Sequence, residues 1–264
     1  MREEKNQLYY FLISYGIVIA LYSFVSLPQV STFFYPRPEI LPPITWFFKK
    51  VYQVSTSGLL FRSIGISLLR MVSGYVMGAV IGVSVGLLMG WSRKVDYTLN
   101  PLVQFIRPIP ALALIPLFIL WFGIGEITKI LLIAEGVAFV TLISTYEGIK
   151  NVPTVYIEAA RCLGANERLL LQKIMIPASF PYIISGFRVA LATAWAIIVA
   201  AEIVASDKGL GYLILAGSHH VDASLIYVGI IGIGVLAYAF DKFIRWIDVT
   251  LTGWMEVERE EAQQ

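Results

Sequence analysis

The sequence predicts an all-α, polytopic membrane protein of about six transmembrane helices with a helical cytoplasmic loop between the fourth and fifth. Three observations carry this. Of the 264 residues, 58% are hydrophobic and 14% charged, and the mean hydropathy of +0.75 lies outside the range of soluble domains. The apolar residues gather in stretches long enough to cross about 30 Å of hydrocarbon as helices. One polar interruption, 150–177, has the 3.6-residue apolar period of short surface helices. The formal charge of +2, with basic residues in short clusters between apolar runs, points to membrane topology and not to a nucleic-acid partner. A single cysteine, Cys162, allows neither an internal disulfide nor a cysteine metal cage and is read as a packing residue.

The first element is the apolar run 8–27, preceded by Arg2 and Lys5. A secretory signal has a shorter apolar region and a small-residue cleavage site, whereas this run ends in Leu27-Pro28, so a retained first span is expected. The external loop that follows mixes Pro36, Pro38, Pro42 and Pro43 with Trp46, Phe47 and Phe48, which suits an extended stretch and then a short interfacial helix. Residues 1–62 thus form the first helix and external loop, 63–246 the core, and 247–264 a cytoplasmic tail.

The second span, 63–91, carries Gly74, Gly78, Gly82, Gly86 and Gly90 at four-residue spacing, one smooth ridge along one face. Glycine costs about 1 kcal/mol relative to alanine in a water-exposed helix, so five in register predict close approach of a neighbouring helix, not chemistry. The third span, 102–122, is interrupted by Pro108, Pro110 and Pro116, with Pro101 just before it. Broken backbone at membrane depth must be buried in protein or line a cavity. Spans at 127–146, 181–205 and 224–244 complete the six. A cytoplasmic amino terminus puts Arg93, Lys94, Lys150, Arg161, Arg168, Lys173, Lys242 and Arg245 inside, against Arg37, Lys49, Lys50, Arg62 and Lys208 outside. This moderate positive-inside bias places both termini in the cytoplasm.

In the loop 150–177, Tyr156, Ala159, Ala160 and Leu163 recur at i, i+3, i+4 and i+7, while Glu158 and Arg161 point elsewhere. Gly164 is positioned to close that helix in a left-handed conformation, and Asn166 to cap the next, which Pro177 should break before the fifth span. The result is a helix-turn-helix elbow facing the cytoplasm.

Here the sequence resembles a known family. Glu158-Ala159-Ala160, three residues, Gly164, nine residues and Ile174-Met175-Ile176-Pro177 is similar to the EAA motif of ABC-importer permeases, with Ile176 where leucine is usual. Arg107-Pro108-Ile109-Pro110-Ala111-Leu112 and Trp121-Phe122-Gly123-Ile124-Gly125-Glu126 resemble the branch importing taurine, alkanesulfonates, nitrate or bicarbonate. Gly186-Phe187-Arg188 and Ala200-Ala201-Glu202 extend that likeness. The resemblance implies a type I importer permease in the inner membrane, acting as a homodimer with cytoplasmic ABC ATPase subunits and an external substrate-binding protein. It also implies that Glu158, Ala159, Ala160, Gly164 and Pro177 couple the permease to the ATPase. No G-x-x-x-x-G-K-[ST] loop occurs, so ATP has no recognisable site here; the chain is expected to be no enzyme and to need no cofactor.

Candidates for the substrate pathway are Arg188, Glu135, Glu202 and Trp195. Arg188 and Glu202 lie 14 residues apart at opposite ends of the fifth span, and an ionisable group in such a segment is usually functional or paired. Glu135, flanked by Leu131-Leu132-Ile133-Ala134, departs from the uncharged residues the resemblance implies there. A lone acid at that depth is protonated, paired with an arginine on another helix, or selecting against anions, and is expected to bear on substrate choice. Adjacent His219-His220 do not converge as metal ligands, and no catalytic triad or dinucleotide fingerprint stands out. The solute is expected to be a small oxyanion, with a thiamine precursor or other heterocycle as the alternative. A gated channel also fits six spans with broken backbone but leaves the elbow unexplained.

Overall fold

The computed structural model describes residues 42–261, together with positions 13, 16, 17 and 20; the rest of the expected first span, 8–27, and the start of its loop lie outside the described residues. Among the described residues every regular element is helical. After Pro42-Pro43, α1 (Ile44–Thr56) leaves Trp46, Phe48 and Tyr52 exposed. The long α2 (Leu59–Trp91) is followed by α3 (Arg93–Ile106), a 3-10 turn (Ala111–Leu114) and α4 (Ile115–Phe122). Next come α5 (Glu126–Lys150), α6 (Thr154–Cys162) and the single turn α7 (Glu167–Leu170). A π turn (Leu171–Met175) leads into α8 (Ile176–Ala205), and α9 (Leu210–His219) and α10 (Ala223–Glu261) end the chain.

Four helical runs are long and apolar enough to cross a membrane: Leu59–Trp91, Glu126–Lys150, Glu167–Ala205 and Ala223–Thr250. The third predicted span is a pair, Arg93–Ile106 and Ala111–Phe122, bent by 81°. Counting it as one span gives five among the described residues. The bend falls at Pro108 and Pro110, which have no N–H with which to close the turn.

The glycine ridge of α2 lies against α5. A Cβ on Gly74 would come within 2.6 Å of Ile133 Cβ, on Gly86 within 2.6 Å of the Leu142 carbonyl oxygen, and on Gly90 within 2.6 Å of Ile149 Cβ. Gly78 and Gly82 press on the Ala134 carbonyl and the Thr141 hydroxyl. The other face of α5 packs on α8, where Gly148 meets Tyr182 and Gly186 meets Ser144. The core between these helices contains Met71, Leu132, Ile133, Val137, Ala190, Ala194, Trp195 and Ile198. In a membrane such packing, not water exclusion, holds helices together.

Pro177 does not end its helix. The run from Glu167 to Ala205 is continuous, and the π turn stands immediately before the proline. A proline lacks the N–H and its ring presses on the preceding turn; widening that turn to i→i+5 bonding relieves both problems without a break.

Candidate functional site

The elbow is built from backbone geometry. Gly164 has φ +81°, the left-handed region, and a Cβ there would meet nothing within 4 Å, so the requirement is conformational and not spatial. The Gly164 N–H donates to the Arg161 carbonyl at 2.9 Å and the Ala165 N–H to the Ala160 carbonyl at 3.0 Å, the paired bonds of a Schellman ending. Asn166 Oδ1 accepts from the Leu169 N–H at 2.9 Å and caps α7. An exposed Arg161–Glu167 pair at 2.8 Å bridges the two arms.

On α6 only Ala160 is buried. Glu158 and Ala159 are exposed, Tyr156 is 55% exposed and Leu163 is 90% exposed. The apolar face that the spacing predicts is therefore uncovered. Half-buried Pro177 lies beyond the π turn, on the helix that ties the elbow to the core. Where the elbow leaves α5, Asp96 of α3 accepts from Lys150 at 2.9 Å, Tyr146 at 3.2 Å and Asn100 at 3.1 Å. No pattern in the sequence marks Asp96, because its charged partner Lys150 and Tyr146 lie on another helix.

At the opposite end of the bundle Arg70 is fully buried. Its guanidinium donates to Glu126, to Glu202 Oε1 at 2.8 Å and to the Lys208 carbonyl at 2.9 Å. Ser67 donates to Glu202 Oε1 at 2.7 Å and accepts from the Leu210 N–H at 2.9 Å, and the Gly211 N–H donates to Glu202 Oε2 at 2.8 Å. Gly209, at φ +115°, packs so closely on this carboxylate that a side chain has no room. Glu202 is thus held inside a closed network joining α2, α5, α8 and α9.

Of the other pathway candidates, Arg188 reaches Asp241 at 3.4 Å and links α8 to α10. Trp195 is in the core, edge-on to Phe240 with ring centroids 6.2 Å apart. Glu135 lines a cavity whose wall mixes charged and apolar side chains. That cavity, about 480 Å³ and open on one side, is lined by Arg107, Ile109, Pro110 and Ala111 of the bend, by Glu135, Phe139, Ile143 and Glu147 of α5, and by Val189 and Thr193 of α8. Glu135 Oε2 is buried with no hydrogen-bond partner among the described residues. A second cavity, about 490 Å³ between α2, α8 and α10, is lined almost wholly by apolar side chains such as Met71, Phe180 and Phe243. Among the described residues no three His, Cys, Asp or Glu side chains are grouped to hold a metal; His219 ends α9 and His220 follows it.

The exposed elbow, the bent span and the glycine-packed helices together make a polytopic helical bundle. Residues 78–252, more than half of the chain, match the family described as "Binding-protein-dependent transport system inner membrane component". The chain belongs to this family. The permease is 35% identical over 240 residues to the putative aliphatic sulfonates transport permease protein SsuC of Bacillus subtilis, covering 90% of this chain and 85% of that relative. It is 32% identical to the taurine transport system permease protein TauC of Escherichia coli, covering 85% and 84%. It is 36% identical to the bicarbonate transport system permease protein CmpB of Synechococcus elongatus, covering 72% and 68%. These relatives belong to the branch that the 107–112 and 121–126 motifs resemble. Among solved structures, the MetNI methionine ABC transporter in an inward-facing conformation matches with a TM-score of 0.64 over 75% of this chain and 98% of that one, at 22% identity, a likeness of fold. The permease is accordingly a multi-pass inner-membrane subunit of an ABC importer.

Proposed function

We propose that the permease moves a small oxyanion inward, of the sulfonate, taurine, nitrate or bicarbonate kind, using ATP hydrolysed by a separate subunit docked on its cytoplasmic elbow. The observation that carries this reading is the elbow itself. It offers exposed Tyr156 and Leu163 on a helix closed by Gly164, and the continuous helix through Pro177 joins it to the bundle core. An apolar face left uncovered at the membrane surface fits a groove on a partner, and a continuous helix transmits that partner's movement without slack. Glu158, Ala159 and Ala160 belong to the docking helix.

In this reading two copies of the permease enclose the solute path, both termini are cytoplasmic, and an external binding protein delivers the solute. The relatives named for sulfonates, taurine and bicarbonate support the oxyanion class. The second reading, a donor-bearing heterocycle such as a thiamine precursor, is favoured by the acid Glu135 in the cavity.

The test is accumulation in proteoliposomes holding the permease with its ATPase and binding protein. Uptake of a labelled sulfonate, nitrate or bicarbonate against its gradient, only with ATP, is expected. Flux without ATP would mark a channel, and uptake restricted to a heterocycle would replace the oxyanion class.

A further inference from the structure

The elbow is rooted in the bundle at both ends. One root is the continuous helix through Pro177. The other is the end of α5: Lys150 is its last residue, and only Asn151, Val152 and Pro153 stand between it and α6. There Lys150 Nζ reaches Asp96 Oδ2 at 2.9 Å and lies 5.4 Å from the centroid of the Tyr146 ring, whose hydroxyl donates to the same oxygen at 3.2 Å. Asp96 stands in the first turn of α3, and among the described residues it alone of that helix is buried. Tyr97, Leu102 and Phe105 of α3 are exposed. This one carboxylate is the point at which α3 is fastened to the elbow's root.

From Asp96 a ladder of side-chain hydrogen bonds climbs α3 at four-residue intervals. Asn100 donates to Asp96 Oδ1 at 3.1 Å, and Gln104 to Asn100 Oδ1 at 3.4 Å. The ladder spans the turn in which Pro101 deprives the helix of a backbone donor. Three residues beyond Gln104 is Arg107, the first of the bend residues that line the cavity, about 16 Å from Asp96 at 1.5 Å per residue. The Lys150 side chain is 40% exposed, so its ion pair adds little to stability. What the pair fixes is position: α3 cannot move away from α5 without breaking the bonds from both Lys150 and Tyr146. Hydrogen-bonded networks and rigid helices are what carry a movement between distant sites. We propose that Asp96, Lys150 and Tyr146 form a strut that passes movement of the elbow into the bent span. Asp96 and Lys150 are then positioning residues for transport and not docking residues. This rests on the importer reading above and gives the elbow a second route into the bundle, one that ends at the cavity.

The test follows movement at the two ends of the strut separately, in the full-length permease with its ATPase in nanodiscs. The lone cysteine is first removed by Cys162→Ser, and a bimane fluorophore is placed on one new cysteine at a time: Arg168→Cys on the elbow or Phe105→Cys beside the bend, both exposed positions. ATP with vanadate is expected to shift the emission at both sites. With Lys150→Gln the shift at the elbow is expected to persist and the shift at the bend to be lost, while Lys150→Arg keeps both. Asp96→Asn is expected to behave as Lys150→Gln does. Co-elution of the ATPase with each variant separates loss of the strut from loss of docking or of the fold. A bend shift that survives Lys150→Gln and Asp96→Asn overturns the strut and leaves the importer standing. Loss of both shifts, or of the ATPase itself, in Lys150→Gln also overturns it, since the pair then serves docking. No shift at either site before the strut is altered overturns the strut as well, and the uptake assay then decides on the importer separately.

Discussion

Arg70 is 0% exposed and stays charged inside an apolar bundle only because two carboxylates, Glu126 and Glu202, and the Lys208 carbonyl surround it. Removing one member of such a set leaves the rest uncompensated, so Arg70→Met is expected to cost about 3–5 kcal/mol. Thermal unfolding in detergent checks this through a lowered Tm. The double change Arg70→Met with Glu202→Leu is expected to recover part of the loss, since a well-packed apolar replacement of a buried pair is often tolerated. The exposed Arg161–Glu167 pair is different in kind, and Arg161→Ala should change stability by less than about 1 kcal/mol in the same assay. Glu202 was legible in the sequence as an ionisable group in an apolar run. Its role was not, because its partner is 132 residues away and only the fold brings them together. Arg70 carried the same signal in the second span, a lone arginine among apolar neighbours, and marks a residue that sequence reasoning should have singled out.

Helix spacing made the glycine ridge of α2 readable in advance, and the structure gives it a partner in α5. A side chain at Gly82 would collide with Thr141 and the Ala138 carbonyl, so Gly82→Leu is expected to push the helices apart and destabilise the bundle by about 1–3 kcal/mol. Gly65 lies on the same helix with nothing within 4 Å of a Cβ, and Gly65→Ala is expected to be neutral or slightly stabilising. Side-by-side melting curves of the two variants test whether packing, and not glycine content, is what matters. At the elbow, Gly164→Val forces a β-branched residue to φ +81° and should uncouple ATP hydrolysis from transport while the protein stays in the membrane. Uptake and ATPase rates measured together check it; normal uptake would contradict it. Two elements were not legible. The helix α9 is only 10 residues long, below spanning length, and the π turn depends on helix continuing on both sides of Pro177, which no local rule anticipates.

For the whole molecule, composition and run length disclosed an all-helical membrane protein, and the prolines of the third span anticipated an interruption whose size, 81°, only the structure gives. The cavity beside that bend follows from the rule that broken backbone at membrane depth lines protein or space. Its charged lining was half visible, through Glu135, while Arg107 stood in a motif without a stated role. The elbow, by contrast, was readable in nearly every part, since helix period, left-handed glycine and capping asparagine are local properties. What no single chain displays is its company. The central claim is that the uncovered face of α6 is where a separate ATPase binds, and Leu163→Asp, on a residue 90% exposed, should weaken that capture without lowering Tm. The most direct measurement is affinity purification of the tagged permease from its native membranes in mild detergent with ATP, followed by mass spectrometry of what is retained. The account predicts an ATPase and a binding protein in the retained set, with the ATPase depleted by Leu163→Asp; a permease that comes out alone under several conditions would contradict it.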